Sequence, residues 1–364
     1  MDIVSGVRIR GIASAIPLLD SPVEHLANGN LFTPDEVTRM SKSLGVKSRR
    51  VVSPELCSSD LCLAAAERLL EDLHLKDPRW VRGEIDALLF VTQTPDYILP
   101  ATACVLHARL GLSTRCAAFD INLGCSGYTY ALYLAGKMLG GSVKRILILV
   151  GDTISKVAGP RDRSTAAVFG DAGSATALEA DPTAPPMYFE TGTDGTGKDA
   201  LIIPAGGFRL KPGPETCVPV HLEDGGERSA EQLYMDGPSV FSFAISRVPE
   251  AIRAVYAATG WTAEDVDAFV FHQANRFMLE HLAKKMRIPL SKVPIEMENY
   301  GNTSSASIPL TLTAALSRQL TEGSCRLVLT GFGVGFSWAA VGLTLGPLVM
   351  SPLVEVGDVV TEAA

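Results

Sequence analysis

Residues 83–95 read GEIDALLFVTQTP, and residues 263–275 read AEDVDAFVFHQAN. In both stretches an acidic turn leads to an Asp-Ala pair and a short apolar run, and Asp86 and Asp267 stand 181 positions apart. KRILILVGD (residues 144–152) matches CRLVLTGFG (residues 325–333) at the same offset. AGSATALEA (residues 172–180) and GFSWAAVGL (residues 335–343) form a third pair at a smaller offset. The chain therefore carries one pattern twice.

The repeated runs are short and apolar, are bounded by Gly, Pro and Asp, and alternate with helical stretches. This arrangement is typical of buried strands in βα units. It predicts an α/β protein made of two similar halves, residues 1–180 and 181–364, related by a pseudo-twofold axis. The segment 192–237 is rich in Gly, Pro and charge and is predicted to be a long loop containing a hairpin.

Composition narrows the class of protein. The chain has 364 residues, of which 47% are hydrophobic and 20% charged, which is typical of a globular protein with a sizeable core. Its net charge of -8 argues against a general nucleic-acid binder. We see neither a signal peptide nor an apolar run of about 18 residues, so we expect a cytoplasmic protein that does not span the membrane. The seven cysteines include no CxxC pair, so neither a disulfide framework nor a metal site is expected.

One cysteine stands where chemistry is possible. Cys125 follows a strand-like run and a short turn, and the sequence after it becomes helical and apolar. A thiol at a buried helix start lies near the positive end of the helix dipole, which lowers its pKa. The repeat offset pairs Cys125 with Ala306, so two equivalent helix starts are predicted to face each other. Judged by residue type alone, such a cysteine is more often a packed core residue.

Two polar residues in the second half are further candidates. His272 ends the strand-like run 268–271, and the carboxyl ends of strands commonly carry sites. Asn302 lies in NYGNTSS, where a turn or helix-cap asparagine is the alternative. The run GFGVG (residues 331–335) could bring backbone N–H groups close to a substrate. It lacks the dinucleotide spacing, and GTDGTGKD (residues 192–199) ends in Asp where a phosphate loop needs Ser or Thr.

Taken together, the motifs resemble the thiolase-like condensing enzymes, and within them the 3-oxoacyl-[acyl-carrier-protein] synthase III group. The resemblance covers about residues 91–343, and the segments that carry it read AFDINLGCSGYTYAL, DRSTAAVFGDAG, FHQAN, YGNTSSASIPL and GFGVGFSW, in that order. The resemblance implies a thiolase-like duplicated αβαβα layered fold, in agreement with the internal repeat.

The resemblance also implies a reaction, a decarboxylative Claisen condensation through an acyl-cysteine. Cys125 falls on the nucleophile, and His272 and Asn302 fall on the residues that donate to the enolate oxygen of a decarboxylated malonyl thioester. The backbone N–H groups of Cys125 and Val334 would form the oxyanion hole. Coenzyme A or phosphopantetheine thioesters enter as substrates, and no further cofactor is implied.

Groups within this superfamily differ at a few site residues, and these differences indicate which activity the chain has. Degradative thiolases have a second cysteine in the C-terminal glycine loop, which this chain lacks at residues 331–338. Elongating synthases have two histidines where this chain has His272 and Asn302. An acyltransferase that forms an ester or amide stays open as an alternative, although its relatives often change the asparagine. A non-catalytic partner subunit would have lost Cys125.

The resemblance gives expectations for substrate binding. Arg163 matches a residue that stacks on the adenine of coenzyme A, but the matching tryptophan position is Arg39 here. A primer carried by an acyl carrier protein therefore becomes more plausible, and both acyl-CoA and acyl carrier protein stay open as the donor. Leu99 matches a gate that closes the acyl tunnel of the other subunit in a homodimer. Asn275 is also expected to contact substrate.

A local basic cluster is predicted to bind the partner protein. It consists of Arg276, Lys284, Lys285 and Arg287. Helical spacing would place Lys284 and Arg287 on one face. Since acyl carrier proteins are acidic, this cluster on an otherwise acidic chain is predicted to dock one, although a solvated helix face is the alternative.

Overall fold

The computed structural model describes residues 1–28 and 31–357, so the predicted C-terminal half is described except for residues 358–364. The helices are α1 (Pro34–Leu44), α2 (Ser58–Lys76), α3 (Thr102–Arg109), α4 (Gly127–Met138), α5 (Gly237–Thr259), α6 (Arg276–Met286), α7 (Ser307–Ala315) and α8 (Ser317–Glu322). Among the described residues, no helix combines the length and apolarity needed to cross a bilayer.

The strands fall into two large sheets and three small ribbons. In the first half they are β1 (Asp2–Val4), β2 (Val7–Pro17), β3 (Asp20–Pro22), β4 (Ser48–Arg50), β5 (Ala87–Val91), β6 (Ala117–Ile121), β7 (Arg145–Asp152) and β8 (Ala172–Ala180). In the second half they are β9 (Met187–Thr193), β10 (Leu201–Ile202), β11 (Val220–His221), β12 (Glu227–Arg228), β13 (Tyr234–Met235), β14 (Ala268–Phe271), β15 (Cys325–Gly333), β16 (Ser337–Leu345), β17 (Val349–Met350) and β18 (Val354–Val356).

The elements stack in five layers. One sheet has the order β17-β2-β8-β7-β5-β6, with β18 also on β2, and the other has the order β1-β9-β16-β15-β14. Helices α4 and α7 contact both sheets and therefore lie between them. Helices α2 and α3 cover the outer face of the first sheet, while α5 covers that of the second and packs on α6. The predicted αβαβα layered fold is confirmed.

The central layer is held by apolar side chains from both halves. The same buried cluster takes in the inner faces of the two sheets and one side of each central helix, including Leu89, Val91, Leu132, Val270, Leu312 and Leu329. Because β5, β7 and β14 are covered on both faces, their sequences are almost continuously apolar. The repeat can be detected in the sequence for this reason.

Equivalent residues of the two repeats form equivalent hydrogen bonds. The Asp86 amide donates to the carbonyl of Arg145 (2.9 Å), and the Asp267 amide donates to that of Arg326 (2.8 Å). The Asp86 carboxylate accepts the Arg145 amide at 3.0 Å and the Lys144 amide at 2.7 Å. The Asp267 carboxylate accepts the Arg326 amide at 2.7 Å. The two aspartates thus register equivalent pairs of parallel strands.

The two ends of the chain cross between the halves. The end of β8 coincides with the predicted boundary at Ala180, yet β1 pairs with β9 in the sheet of the second half. In return, β17 and β18 both pair in parallel with β2 in the sheet of the first half. Each large sheet therefore includes a strand from the opposite end of the sequence.

The segment 192–237 has little regular structure. Its β11 and β12 form the short hairpin that was predicted, and β10 pairs with β13 to close the base of the segment. Leu201 and Leu233 are buried in a small cluster with Ile154 and Phe169 from the first half. The segment is therefore packed against the rest of the molecule at its base.

We expect Asp86→Ala to reduce the free energy of unfolding by about 1–3 kcal/mol, because two strand amides lose a charged acceptor. Asp267→Ala should cost less, since Asp267 is exposed and accepts one of these amides. Denaturant unfolding curves measure both changes, with the exposed α2 residue in Glu71→Ala as control. Equal effects of Asp86→Ala and Glu71→Ala would contradict the registering role.

Candidate active site

Cys125 lies in the turn between β6 and α4, two residues before the helix begins, and is 6% exposed. The end of β15, where the glycine loop 331–335 begins, lies directly against it. A Cβ atom at Gly333 would lie 2.6 Å from the Cβ of Cys125 and 2.8 Å from its sulfur. A Cβ at Gly331 would lie 2.9 Å from the Cys125 carbonyl oxygen. This close approach requires glycine at both positions.

Two backbone amides converge on the sulfur of Cys125. They are its own N–H group and that of Val334, and both favour the thiolate by acting to lower the pKa of Cys125. The same two amides were predicted to form the oxyanion hole. An oxygen that developed charge on a carbon attached to this sulfur would lie near both donors, which is the geometry that acyl transfer uses.

The ionisation of Cys125 differs from the expectation. Burial raises the pKa of the thiol to about 11, and the nearby Asp152 carboxylate adds to the shift, while hydrogen bonds from Val334 and Ser304 oppose it. The prediction that the helix start would lower this pKa is therefore wrong in direction. The physical reason is that the sulfur is removed from water, which penalises the anion more than the nearby dipoles favour it.

His272 follows β14 and is 2% exposed. Its backbone amide donates to the carbonyl of Thr330 (2.8 Å), which continues the β14–β15 pairing. Burial lowers the pKa of the imidazole to about 3, so the ring is neutral at physiological pH. The ring Nδ1 atom lies 2.8 Å from the hydroxyl of Ser307. A hydroxyl that donates to Nδ1 leaves the ring proton on Nε2.

Asn302 is fixed by its own turn. Its backbone amide donates to Val168 (2.9 Å), and its side-chain Oδ1 accepts the amide of Ser304 (2.9 Å). Because Oδ1 is held by this amide, the Nδ2 group is the end of the side chain that can donate to a substrate. It lies 3.5 Å from the Ala274 carbonyl oxygen. Ser304 adopts a left-handed backbone conformation with φ of 49°, an uncommon one for a residue other than glycine. Its side chain lies close enough to Cys125 to oppose the rise in the pKa of the thiol, so this turn links Asn302 to the nucleophile.

Two residues at the site escaped the sequence analysis. Ser307, the first residue of α7, contacts the ring of His272. Asp152, at the end of β7, accepts hydrogen bonds from the Gln93 amide (2.7 Å) and from the Ser305 hydroxyl (2.6 Å) and amide (3.2 Å). Asp152 could have been identified from the sequence, because an aspartate at the end of an apolar strand is expected to lie at a site. Ser307 could not, because nothing in the sequence distinguishes it from the neighbouring serines.

The three predicted substrate residues have different surroundings in the structure. The Arg163 guanidinium stacks on Phe32, with its carbon 4.5 Å from the ring centre, and donates to the Glu36 carboxylate at 2.7 Å. Hydrogen bonds from Thr33 and Arg163 lower the pKa of Glu36 to about 2, so this ion pair is charged at neutral pH. Asn275 caps α6 by accepting the Met278 amide at 2.8 Å. Leu99 is 78% exposed.

Three residues of the predicted basic cluster lie on α6 and the fourth, Arg287, comes just after it, so the four do not form one helical face. The helix ends at Met286, and Arg287 has a left-handed conformation, so Lys284 and Arg287 do not share a helical face. Arg276 lies 3.9 Å from both Glu280 and Glu298, which offset its charge. Lys284, Lys285 and Arg287 are exposed, although Lys285 donates to the Ile245 carbonyl at 2.7 Å.

The raised pKa of Cys125 predicts how its alkylation depends on pH. Below the pKa the thiolate fraction grows tenfold per pH unit, so the rate with iodoacetamide should keep rising from pH 7 to beyond pH 9. Peptide mass spectrometry measures the rate at Cys125, and a short cysteine peptide blocked at both ends serves as the reference thiol, whose rate levels off above its ordinary pKa of about 8.5. A plateau at Cys125 below pH 8 would show that the helix start outweighs burial.

Known proteins resemble the chain in both sequence and structure. The profile of the 3-oxoacyl-[acyl-carrier-protein] synthase III family matches residues 119–195, and that of its C-terminal region matches residues 256–345. Beta-ketoacyl-[acyl-carrier-protein] synthase III 3 of Streptomyces coelicolor is 38% identical over 304 residues, which cover 82% of this chain and 86% of the relative. The synthase III of Caldanaerobacter subterraneus is 35% identical over 298 residues, covering 81% and 86%.

A solved structure extends the likeness to almost the whole chain. The 3-oxoacyl-(acyl-carrier protein) synthase of Burkholderia xenovorans LB400 superposes with a TM-score of 0.89 at 43% identity, and 98% of each chain is covered. The matches include the segments that contain Cys125, His272 and Asn302. The chain belongs to the 3-oxoacyl-[acyl-carrier-protein] synthase III family.

Proposed function

We propose that the protein condenses an acyl thioester with malonyl-acyl-carrier-protein through an acyl-Cys125 intermediate, giving CO2 and a 3-oxoacyl thioester. The observation that carries the proposal is the convergence of two amides and a buried thiol, with His272 held by the Ser307 hydroxyl and Asn302 by the Ser304 backbone amide. Family membership supports the same reaction. The ester- or amide-forming alternative has no particular observation in its favour.

In the first step, the sulfur of Cys125 attacks the carbonyl carbon of the acyl donor. The carbon–sulfur bond to the donor breaks, and the proton from Cys125 leaves with the departing thiol. Since burial keeps this thiol protonated at neutral pH, the proton must move as the new bond forms. The N–H groups of Cys125 and Val334 would stabilise the oxygen of the tetrahedral intermediate.

In the second step, a malonyl thioester loses CO2 and leaves an enolate. His272 Nε2 and Asn302 Nδ2 would donate to its oxygen. A neutral imidazole suits this role because it can donate a hydrogen bond without carrying a charge that would attract another anion. Ser307 would act as a positioning residue by holding the ring in the tautomer that has its proton on Nε2. The carbanion attacks the acyl carbon, the oxyanion hole is used again, and Cys125 is released and takes up a proton.

We infer that the acyl donor is presented by a carrier protein more readily than by coenzyme A. The guanidinium of Arg163, which would stack on adenine, already has Phe32 against it and a charged partner in Glu36. Phosphopantetheine on a carrier protein needs no adenine contact. Substrate thioesters and the protein's own groups supply every step above, so we propose no cofactor.

We further propose a homodimer that acts in the cytoplasm. Three consecutive apolar residues, Tyr97, Ile98 and Leu99, are 59%, 71% and 78% exposed, which is unusual on a monomer surface. A second copy would cover them, with Leu99 reaching the acyl cavity of its partner. All seven cysteines are free thiols, in keeping with a reducing compartment.

Substitutions should separate the two steps. Cys125→Ala and Cys125→Ser are expected to lose the stable thioester adduct in intact mass spectrometry. His272→Ala and Asn302→Ala should still acylate Cys125 but lose malonyl decarboxylation by about 10²–10³-fold, because each removes one donor to the enolate. His74→Ala, on the exposed face of α2, is the control. An adduct mapped to another cysteine, or condensation at the parent rate by either donor variant, would refute the assignment.

Docking by the basic cluster predicts a substrate-dependent defect. Replacing Lys284 and Lys285 by Glu should raise the apparent KM for malonyl carrier protein at least about threefold, since exposed charges act on association. Acylation from an N-acetylcysteamine thioester should be unchanged. Lys76→Glu with Lys144→Glu, both exposed and remote from α6, makes the same change in net charge. Loss with both substrates, or an equal effect in the control, would contradict docking at this cluster.

A further inference from the structure

A cavity of about 660 Å³ opens beside Cys125. Val334 and Ser304, which contact the thiol, form part of its wall. His272 and Asn302 are not among its lining residues in the described part of the chain. The cavity therefore lies on the side of the sulfur away from the two enolate donors, where the tail of an acyl group on Cys125 would extend.

The wall of this cavity is mainly hydrocarbon. Its apolar lining comes from four separate parts of the chain and includes Ile154, Val157, Phe169, Leu201, Ile203 and Leu233. Polar groups such as Lys198 also border it, and the Lys198 side chain is 70% exposed, which marks an end open to solvent. An apolar chamber of this kind gains free energy for each methylene that it removes from water.

The cavity is far larger than an acetyl group requires. A cavity of about 150 Å³ in a protein core accepts a six-carbon ring, so the volume here is about four times that needed for six carbons. Even if a second subunit filled half of it, space for a medium-length chain would remain. The base of the segment 192–237, through Leu201 and Leu233, supplies part of this space.

We propose that the primer is a medium-chain acyl group of about six to ten carbons, whose hydrocarbon tail fills this cavity. The inference rests on the proposed function, because the chain must first be carried by Cys125. Only the thioester exchange already described is involved: the sulfur–carbon bond to Cys125 forms, the donor's carbon–sulfur bond breaks and the proton leaves with the donor thiol. The cavity selects the acyl tail.

A chain-length series on the full-length protein tests this proposal. N-acetylcysteamine thioesters from acetyl to decanoyl share one leaving group, so their acylation rates, followed by intact mass spectrometry, differ only through the tail. Each methylene buried should raise the second-order rate constant up to about fourfold, and octanoyl should exceed acetyl by at least about 100-fold. A profile that is flat or falls with length overturns the inference but leaves the function standing. No adduct from any donor would refute the function itself.

A filling substitution locates the tail. Ala205 is 2% exposed and lines the cavity, so Ala205→Phe should lower the octanoyl-to-acetyl rate ratio at least about tenfold, the equivalent of losing room for about two methylenes. Leu233→Trp fills the same cavity from another element and replaces Ala205→Phe if that variant does not fold. The matched control is Leu75→Phe, 81% exposed on α2, which should leave the ratio unchanged. An unchanged ratio in a folded cavity variant would overturn the proposal.

Discussion

The backbone of the glycine loop touches Cys125 with no space for a side chain between them. Gly331 and Gly333 are both close enough that a Cβ atom would clash with the cysteine or its turn. This contact places the Val334 amide against the sulfur. It also fixes the spacing of the two halves, since the loop belongs to the second sheet and Cys125 to the first. The layers on either side must hold that spacing, and the apolar central layer does so.

Asp152 is the polar counterpart of that contact. Its buried carboxylate closes β7 in the first half and accepts both donors of Ser305 in the second. Burial raises the pKa of this carboxyl group, while hydrogen bonds from Ser305 and Gln93 favour its ionised form, so the group favours the arrangement of the two helix starts that supplies those donors. When it is ionised, it disfavours a thiolate at Cys125. Order at the site and ionisation of the nucleophile are thus opposed, and the neutral thiol is the result.

The duplicated pattern of buried strands was predictable from composition, because strands covered on both faces are continuously apolar and the pattern occurs twice. The five layers, and the choice of Cys125, His272 and Asn302 as site residues, came from the resemblance of whole motifs, since each residue alone had a structural alternative. The direction of the Cys125 pKa was not predictable, because it depends on how much water the folded layers exclude. Ser307 and the exchange of terminal strands depend on contacts between distant parts of the chain, and no local pattern reports them. The end of α6 at Met286 was missed because Lys and Arg fit a helix equally well.

The exchange of terminal strands has a consequence for how the duplicated chain can be taken apart. Because β1 belongs to the second sheet and β17 and β18 to the first, cutting the sequence at residue 180 would leave each piece with a strand that belongs to the other and an uncovered sheet edge. The two pieces resemble each other as repeats, but neither contains all the strands of its own sheet, because each end of the chain completes the sheet of the opposite half.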